Sequence, residues 1–186
     1  MTALAFTAAV WLGGTTAQAP AAPATAPAAG GATTRPTAEI VRAIGELDSP
    51  DWIIQYRAIS QLAAWKAPES RGPLTALLAG KGRPWVRGRA LAALAQIFGE
   101  QMFDVAAHHA RSELPELRAA AVEAVGIIGS PRGDGVAAGL ATDKDLEVRG
   151  QAVLALARLR KDKAWPIVAP LLKEADLKLV RCVVLA

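Results

Sequence analysis

The sequence predicts an all-α solenoid of about four to five helix-turn-helix repeats, and three observations support this fold class. A short phrase recurs along the chain every 31 or 32 residues, apolar residues within each copy have helical spacing, and a shorter apolar run precedes each copy. The copies are centred on Arg87, Arg118, Arg149 and Arg181, with Gln55 at the same place in a weaker first copy. Such self-similarity is typical of stacked units, because a single unit cannot bury its apolar face alone.

The recurring phrase predicts the second helix of each repeat. If the arginine (or Gln55) is position zero, positions −1, +3, +4 and +7 are apolar; the Arg87 copy has Val86, Ala90, Leu91 and Leu94 there. Offsets of three and four residues place these side chains on one stripe of an α-helix. Residues that favour helix starts and ends flank the copies: Pro84, Pro115, Asp51 and Asp145 before them, and Gly99 and Gly129 after them.

The shorter runs predict the first helix of each repeat. They span residues 40–47, 74–78, 103–109, 136–140 and 167–172. Each unit is therefore expected to be a helix, a short turn and a second helix.

This pattern resembles the HEAT-like repeats, specifically the short subtype shared with phycobilisome lyases, whose pattern is roughly L-x-D-x-x-x-x-V-R-x-x-A-x-x-A-L-G. Asp143 with Val148-Arg149-Gly150-Gln151-Ala152 is the closest copy, and Ala124-Val125-Gly126 matches the tail. The resemblance covers about residues 37–186. It implies a right-handed solenoid whose second helices line the concave face. It says little about activity, because the matching residues are packing residues.

The regularly spaced arginines have two interpretations. In the structural one, their guanidinium groups bridge to turn acids such as Asp143 or to carbonyl groups of the adjacent unit. In the functional one, they form a row that binds anions. Spacing at the repeat period favours the structural interpretation.

The first 36 residues differ from the repeats in composition. Residues 3–12 are an apolar run with Thr7 as its one polar residue, and Ala17-Gln18-Ala19 resembles a cleavage site, so residues 1–19 are a candidate signal peptide. No basic residue precedes the run, and Pro20 would follow the cut. Residues 20–36, rich in Ala, Pro and Thr, are expected to be a disordered linker before a repeat domain over 37–186. A secreted or periplasmic protein is expected, or a cytoplasmic one if the segment is not a signal.

The C-terminal copy ends at Ala186, five residues after Arg181, whereas the other copies continue further. We therefore expect the repeat array to be truncated at this end, so a catalytic domain beyond it is left open. Cys182 is the single cysteine, which excludes a disulfide within the chain. No segment is predicted to span a membrane.

A net charge of +4, from 21 basic and 17 acidic residues, is small and well mixed. Nucleic acid is therefore disfavoured as a partner. The sequence contains no phosphate-binding loop, no Cys-x-x-Cys pair and no His-Glu dipeptide of the HEAT-like metal hydroxylases. We predict no catalytic residue, cofactor or metal.

His108 and His109 are the only histidines, and His109 takes a position that is leucine in other repeats. One hypothesis makes it a metal ligand or a proton carrier with Asp104 or Glu113. The favoured alternative is a half-buried histidine with a local hydrogen bond, since adjacent helical residues diverge too far to chelate one ion easily.

The stripe at −2, +2, +5 and +9, opposite the apolar one, predicts the binding surface. We predict a non-catalytic scaffold that binds a protein or peptide partner through the concave face, at Arg57, Trp85, Arg89, Glu116, Glu123, Glu147, Gln151 and Arg158. Trp85 and Arg89 lie one helical turn apart, as in an interaction hot spot; alternatively Trp85 packs over the turn. Two other functions stay open: a HEAT-like enzyme or enzyme subunit (chromophore lyase-like or nucleic-acid-binding glycosylase-like), and a spacer domain of a larger enzyme.

Overall fold

A computed structural model of the chain describes residues 37–160 and Pro166. The candidate signal peptide, the predicted linker, the first helix over 167–172 and the copy around Arg181 lie outside the described residues. Between Thr37 and Arg160 the chain forms eight α-helices and two short 3₁₀ helices, with no strand in that range. The predicted all-α class is confirmed.

The helices pair into four repeats, each with a first and a second helix. The pairs are α1 (Thr37–Glu46) with α2 (Trp52–Ala64), α3 (Arg71–Ala79) with α4 (Pro84–Phe98), α5 (Phe103–His109) with α6 (Pro115–Ile128), and α7 (Gly133–Leu140) with α8 (Leu146–Arg160). The 3₁₀ helices Pro68–Ser70 and Gly99–Met102 lead into α3 and α5.

The ends of the second helices follow from their flanking residues. The Asp51 carboxylate accepts a hydrogen bond from the Ile53 N–H at 2.8 Å, and the Asp145 carboxylate accepts one from the Glu147 N–H at 2.9 Å. These bonds satisfy backbone donors that have no partner inside the helix. Gly129 ends α6 in the left-handed conformation, with φ of 70°, which favours glycine.

The predicted apolar stripe forms the core. Its members in α4, α6 and α8 are all at most 2% exposed. In α2 the residues Ala58, Ile59 and Leu62 are fully buried, whereas Ile54 is half-buried at the start of the helix. Each fully buried Leu, Ile or Val contributes about 1.5–3 kcal/mol to the burial free energy.

Successive second helices pack directly on one another, and small residues allow the close approach. A Cβ atom on Gly88 of α4 would lie 2.8 Å from the Cβ of Ala120 on α6, and one on Gly126 of α6 would lie 3.0 Å from the Cβ of Ala155 on α8. The first helices contact one another much less. The stack of repeats is therefore packed more tightly on the side of the second helices than on the side of the first helices. For this reason the outward surface of the second helices is the concave face of the solenoid.

The position-zero residues have a structural role at the edge of the repeats. Arg87 donates from Nε to the Leu78 carbonyl at 2.8 Å, and Gln55 donates to the Leu47 carbonyl at 2.9 Å. Arg149 donates to the Asp143 carbonyl at 2.9 Å. In each case the carbonyl belongs to the same repeat, near the turn between its two helices, and not to the adjacent repeat as the sequence suggested. The reason is that position zero lies in the first turn of the second helix, directly beside that turn.

Arg118 also joins two repeats. Its guanidinium donates to both carboxylate oxygens of Asp143, at 2.8 and 2.9 Å, and to the Ser112 and Glu113 carbonyls at 3.0 Å. The two side chains are only 8% and 10% exposed. The hydrogen bonds from Arg118 hold the pKa of Asp143 below its ordinary value, and the same bonds raise the pKa of Arg118.

We predict that Asp143→Asn lowers the free energy of unfolding by about 2 kcal/mol at pH 7, because Arg118 loses its buried counter-charge. The folded-state pKa of Asp143 is lowered. Its contribution is therefore complete above the unfolded-state pKa of about 4 and is lost as the pH falls further. Urea unfolding followed by circular dichroism at pH 7 and pH 3 measures both effects.

Asp48→Asn is the matched control, since Asp48 is exposed and its carboxylate bonds to no described residue. Equal loss of stability in the two variants, or a loss in Asp143→Asn that is as large at pH 3 as at pH 7, would contradict the proposed role of the pair.

We predict opposite effects for two Gly→Ala substitutions in helices. Gly88→Ala should lower the free energy of unfolding by about 1 kcal/mol, because the rigid Ala120 Cβ forces the helices apart and overpacking outweighs the gain in helix propensity. Gly45→Ala in α1, where a Cβ meets nothing within 4 Å, should raise it by up to about 1 kcal/mol. Thermal unfolding of both variants measures whether each substitution raises or lowers the stability. A stabilised Gly88→Ala variant would show that α4 and α6 are not in close contact.

Candidate partner-binding groove

A groove of about 230 Å³ runs across the second helices on the concave face. Its floor is formed by small residues, Gly88 from α4 and Ala119 and Ala120 from α6. Its other lining residues are Tyr56, Trp85, Arg89, Glu116, Glu123, Glu147 and Gln151. The same tight packing that brings the helices together therefore also leaves a shallow channel between their outward side chains.

The structure brings six of the eight predicted surface residues together around this groove: Trp85, Arg89, Glu116, Glu123, Glu147 and Gln151. Arg57 and Arg158 do not line it. Arg57 is exposed and pairs with Glu46 of the preceding helix, Nη2 to Oε2 at 3.4 Å. Arg158 is exposed near the C-terminal end of α8. The part of any of these residues in binding stays a prediction.

An aromatic cluster, defined here as Trp52, Tyr56 and Trp85, stands where α2 meets α4. The Trp52 and Trp85 ring centroids lie 4.9 Å apart in an edge-to-face arrangement, and the Tyr56 centroid is 6.4 Å from that of Trp85. The Arg89 guanidinium lies 5.3 Å from the Tyr56 centroid. Trp85 thus packs across to the neighbouring second helix. Trp52 and Tyr56 remain 42% exposed, which leaves apolar surface for a partner.

Trp52 and Tyr56 were not predicted as site residues. They fall at positions −3 and +1, outside the offsets assigned to the concave stripe. Their own spacing was the available signal, because two aromatic residues four apart lie side by side on a helix.

Three carboxylates follow the aromatic cluster along the groove. Glu116 and Glu123 belong to α6 and Glu147 to α8, and none forms an ion pair with a described residue. Arg89 is the one basic side chain among the described lining residues, and its guanidinium stands over Tyr56. The groove therefore changes along the array from aromatic to acidic.

The two histidines lie elsewhere, beside a second cavity of about 570 Å³ at the edge of the solenoid. Its polar lining residues are Arg87, His108, His109, Arg111, Ser112 and Glu113. His109 is half-buried, as favoured from the sequence, but its ring makes no hydrogen bond to a described residue. Burial, followed by the nearby His108 and Arg87, lowers the pKa of His109.

Asp104, one of the two acids considered as a partner of His109, instead accepts a hydrogen bond from Arg132 at 2.7 Å. Glu113 lines the same cavity as the histidines. Within residues 37–160, no three His, Cys, Asp or Glu side chains are placed to hold one metal ion. The helices in this range are also too short or too polar to cross a bilayer.

Comparison with known proteins gives a family and a set of similar folds. The family model for HEAT repeats matches residues 40–125 and 104–186. No curated protein matches the chain. Among solved structures, the complex of CpcE and CpcF of phycocyanin lyase from Nostoc sp. PCC7120 is similar, with a TM-score of 0.58 and 17% identity over 88% of this chain and 67% of that one.

Two other similar structures are artificial proteins. A designed armadillo repeat protein in complex with the peptide (KR)4 has a TM-score of 0.51 and 17% identity, covering 77% of this chain and 78% of that one. An engineered protein has a TM-score of 0.50 and 20% identity, covering 78% and 76%. At these identities the similarity concerns the fold alone.

We predict that His109→Leu stabilises the chain, because leucine occupies the corresponding position in α3 and α7, at Leu78 and Leu140. The free energy of unfolding should increase by about 1 kcal/mol at pH 8, because the leucine side chain buries more apolar surface. The folded-state pKa of His109 lies below 6.5. As the pH falls, His109 is therefore protonated in the unfolded wild-type chain at a higher pH than in the folded chain. Wild-type stability is then lost below pH 6.5, and the gain of His109→Leu should be larger at pH 5.5.

Urea unfolding at pH 8 and pH 5.5 measures this difference, and an NMR titration should give His109 a midpoint below 6.5. His108→Gln is the control, since His108 is exposed. A gain that is equal at both pH values would show that burial does not suppress protonation of His109.

Proposed function

The chain belongs to the HEAT repeat family, and from this membership and the groove we propose that it is a non-catalytic scaffold for protein interaction. It binds an extended segment of a protein partner across its second helices. The observation that carries the proposal is the succession, in one groove, of a partly exposed aromatic cluster and three glutamates that have no ion-pair partner within residues 37–160.

The charges of the groove favour a basic partner segment. Its described lining holds Glu116, Glu123 and Glu147 against the single Arg89, so the local charge is opposite in sign to that of the whole chain. Lys or Arg side chains of a bound segment would meet these carboxylates. The complex of a designed armadillo repeat protein with (KR)4 supports this proposal, because a similar fold there holds a basic peptide.

The aromatic cluster is expected to supply most of the affinity. Single ion pairs at an exposed surface contribute at most about 1 kcal/mol each, whereas a few aromatic anchors dominate many interfaces. The rings also offer faces for stacking by a guanidinium group, which is a favourable contact for an arginine of the partner. Affinity should therefore depend on Trp85 strongly and on each glutamate modestly.

An enzyme subunit is the second candidate function. The similarity of the fold to the CpcE and CpcF complex of phycocyanin lyase favours it over the spacer hypothesis. A subunit of this kind would also act by holding another protein at the groove. Both candidate functions thus require the concave face to bind a protein partner. The scaffold function requires only this binding, whereas the enzyme-subunit function requires more.

We predict that a fluorescently labelled peptide of four Lys-Arg pairs binds the 186-residue chain, measured by fluorescence anisotropy at low salt. Trp85→Ala should weaken binding about tenfold through loss of the aromatic anchor. The triple variant Glu116→Gln, Glu123→Gln, Glu147→Gln should also weaken it about tenfold and reduce its dependence on salt.

Glu39→Gln is the matched control, because Glu39 is exposed on α1, away from the groove. A peptide of alternating Glu and Ser tests the sign of the charge and should not bind. If the basic peptide binds the triple variant and Trp85→Ala as tightly as the wild type, the groove is not the binding site.

A further inference from the structure

The cavity beside His108 and His109, the edge cavity, lies between the second and third repeats, away from the groove. Arg87 reaches it from α4, the histidines from the end of α5, and Arg111, Ser112 and Glu113 from the turn that follows α5. With a volume of about 570 Å³ it is larger than the groove. The scaffold function proposed above makes no use of it.

The two arginines of the cavity have unused donors. Arg87 is fixed by its Nε bond to the Leu78 carbonyl, and its two Nη groups donate to no described residue. Neither Arg87 nor Arg111 has an ion-pair partner among residues 37–160. A guanidinium anchored on one side and open on the other is suited to binding two oxygens of an anion.

The histidines add further donors at the same place. Their ring centroids lie 5.4 Å apart, and neither imidazole bonds to a described residue. His109 replaces an apolar residue of the repeat pattern, and its pKa is lowered first by burial and then by His108 and Arg87. Cationic groups are therefore gathered here with Glu113 as the one carboxylate in the described lining. A bound anion would relieve their mutual repulsion.

We propose that the edge cavity binds the phosphoryl group of a phosphate monoester. The phosphoryl oxygens are bound by the Nη groups of Arg87, the Arg111 guanidinium and the two imidazoles. The Ser112 hydroxyl, whose oxygen accepts a hydrogen bond from the Leu114 N–H at 3.2 Å, keeps its proton to donate to the ligand. Two arginines against one glutamate give the described lining a positive charge without any contribution from the histidines.

Affinity should increase as the pH falls, because a protonated His109 imidazole binds a dianion more strongly. The charged groups around His109 are Arg87 from α4, His108 from α5, and Arg111 and Glu113 from the following turn. Of α6, only the apolar Leu117 reaches the cavity. Sulfate is the probe for this dependence, since it stays dianionic over the whole range.

The test is an NMR titration of the 186-residue chain with inorganic phosphate and with O-phosphoserine, followed at the imidazole signals. Both ligands should give saturable shifts of His108 and His109. His109→Leu and Arg111→Ala should each weaken binding about tenfold through loss of a charged hydrogen bond. Sulfate should bind several-fold more tightly at pH 6 than at pH 8.

Arg42→Ala is the control, as it removes an exposed arginine of α1 that does not line the cavity. His109→Leu keeps the fold, since leucine fits the repeat at this position, and circular dichroism verifies this. Saturable binding that His109→Leu and Arg111→Ala weaken and that Arg42→Ala leaves unchanged supports the site. No saturable shift, or equal affinity in all three variants, overturns it and leaves an adventitious ion only.

Discussion

The close approach of successive second helices is the constraint on which the rest of the structure depends. Gly88 faces Ala120, and Gly126 faces Ala155, at distances that leave no room for a larger side chain. Because the backbones come so near, the outward residues of neighbouring helices also become neighbours, and the groove of the concave face results. The contacts between the second helices therefore determine both the packing of the repeats and the shape of the candidate binding surface.

The polar residue at position zero provides hydrogen-bond donors for backbone carbonyl groups of the stacked fold. Each turn between paired helices leaves carbonyl groups without partners, and Gln55, Arg87, Arg118 and Arg149 all donate to such carbonyls. The long side chain also covers the edge of the core with its methylene groups. Arg118 adds a bidentate bond to Asp143 in the next repeat, whereas the Nη groups of Arg87 donate to no residue within 37–160. The same residue type thus joins two repeats at Arg118 and, among the described residues, bonds only within its own repeat at Arg87.

Much of this could be predicted from the sequence, because helical periodicity is a local property. The phrase around Arg87 fixes which face of α4 is buried, and Trp85 and Arg89 then have to point outward. Offsets say nothing about distances between helices, however. Arg57 was predicted to share the binding surface with Trp85 and Arg89, and the structure places its guanidinium beside Glu46 of the preceding helix, outside the lining of the groove. The contact between Trp52 and Trp85 likewise depends on how α2 stands against α4.

The distribution of charge explains why composition gave so little guidance on partners. Twenty-one basic and 17 acidic residues nearly balance over the chain, but among the described residues the groove and the edge cavity are lined by groups of opposite net charge. The groove gathers glutamates at the −2 and +5 positions of α6 and at the −2 position of α8, while basic groups gather at the edge, where the position-zero residues and the following turns meet. A nucleic acid laid along the concave face would place its phosphates against Glu116, Glu123 and Glu147, which is electrostatically unfavourable. The charge of one face, and not the net charge of the chain, therefore decides which class of partner the face admits.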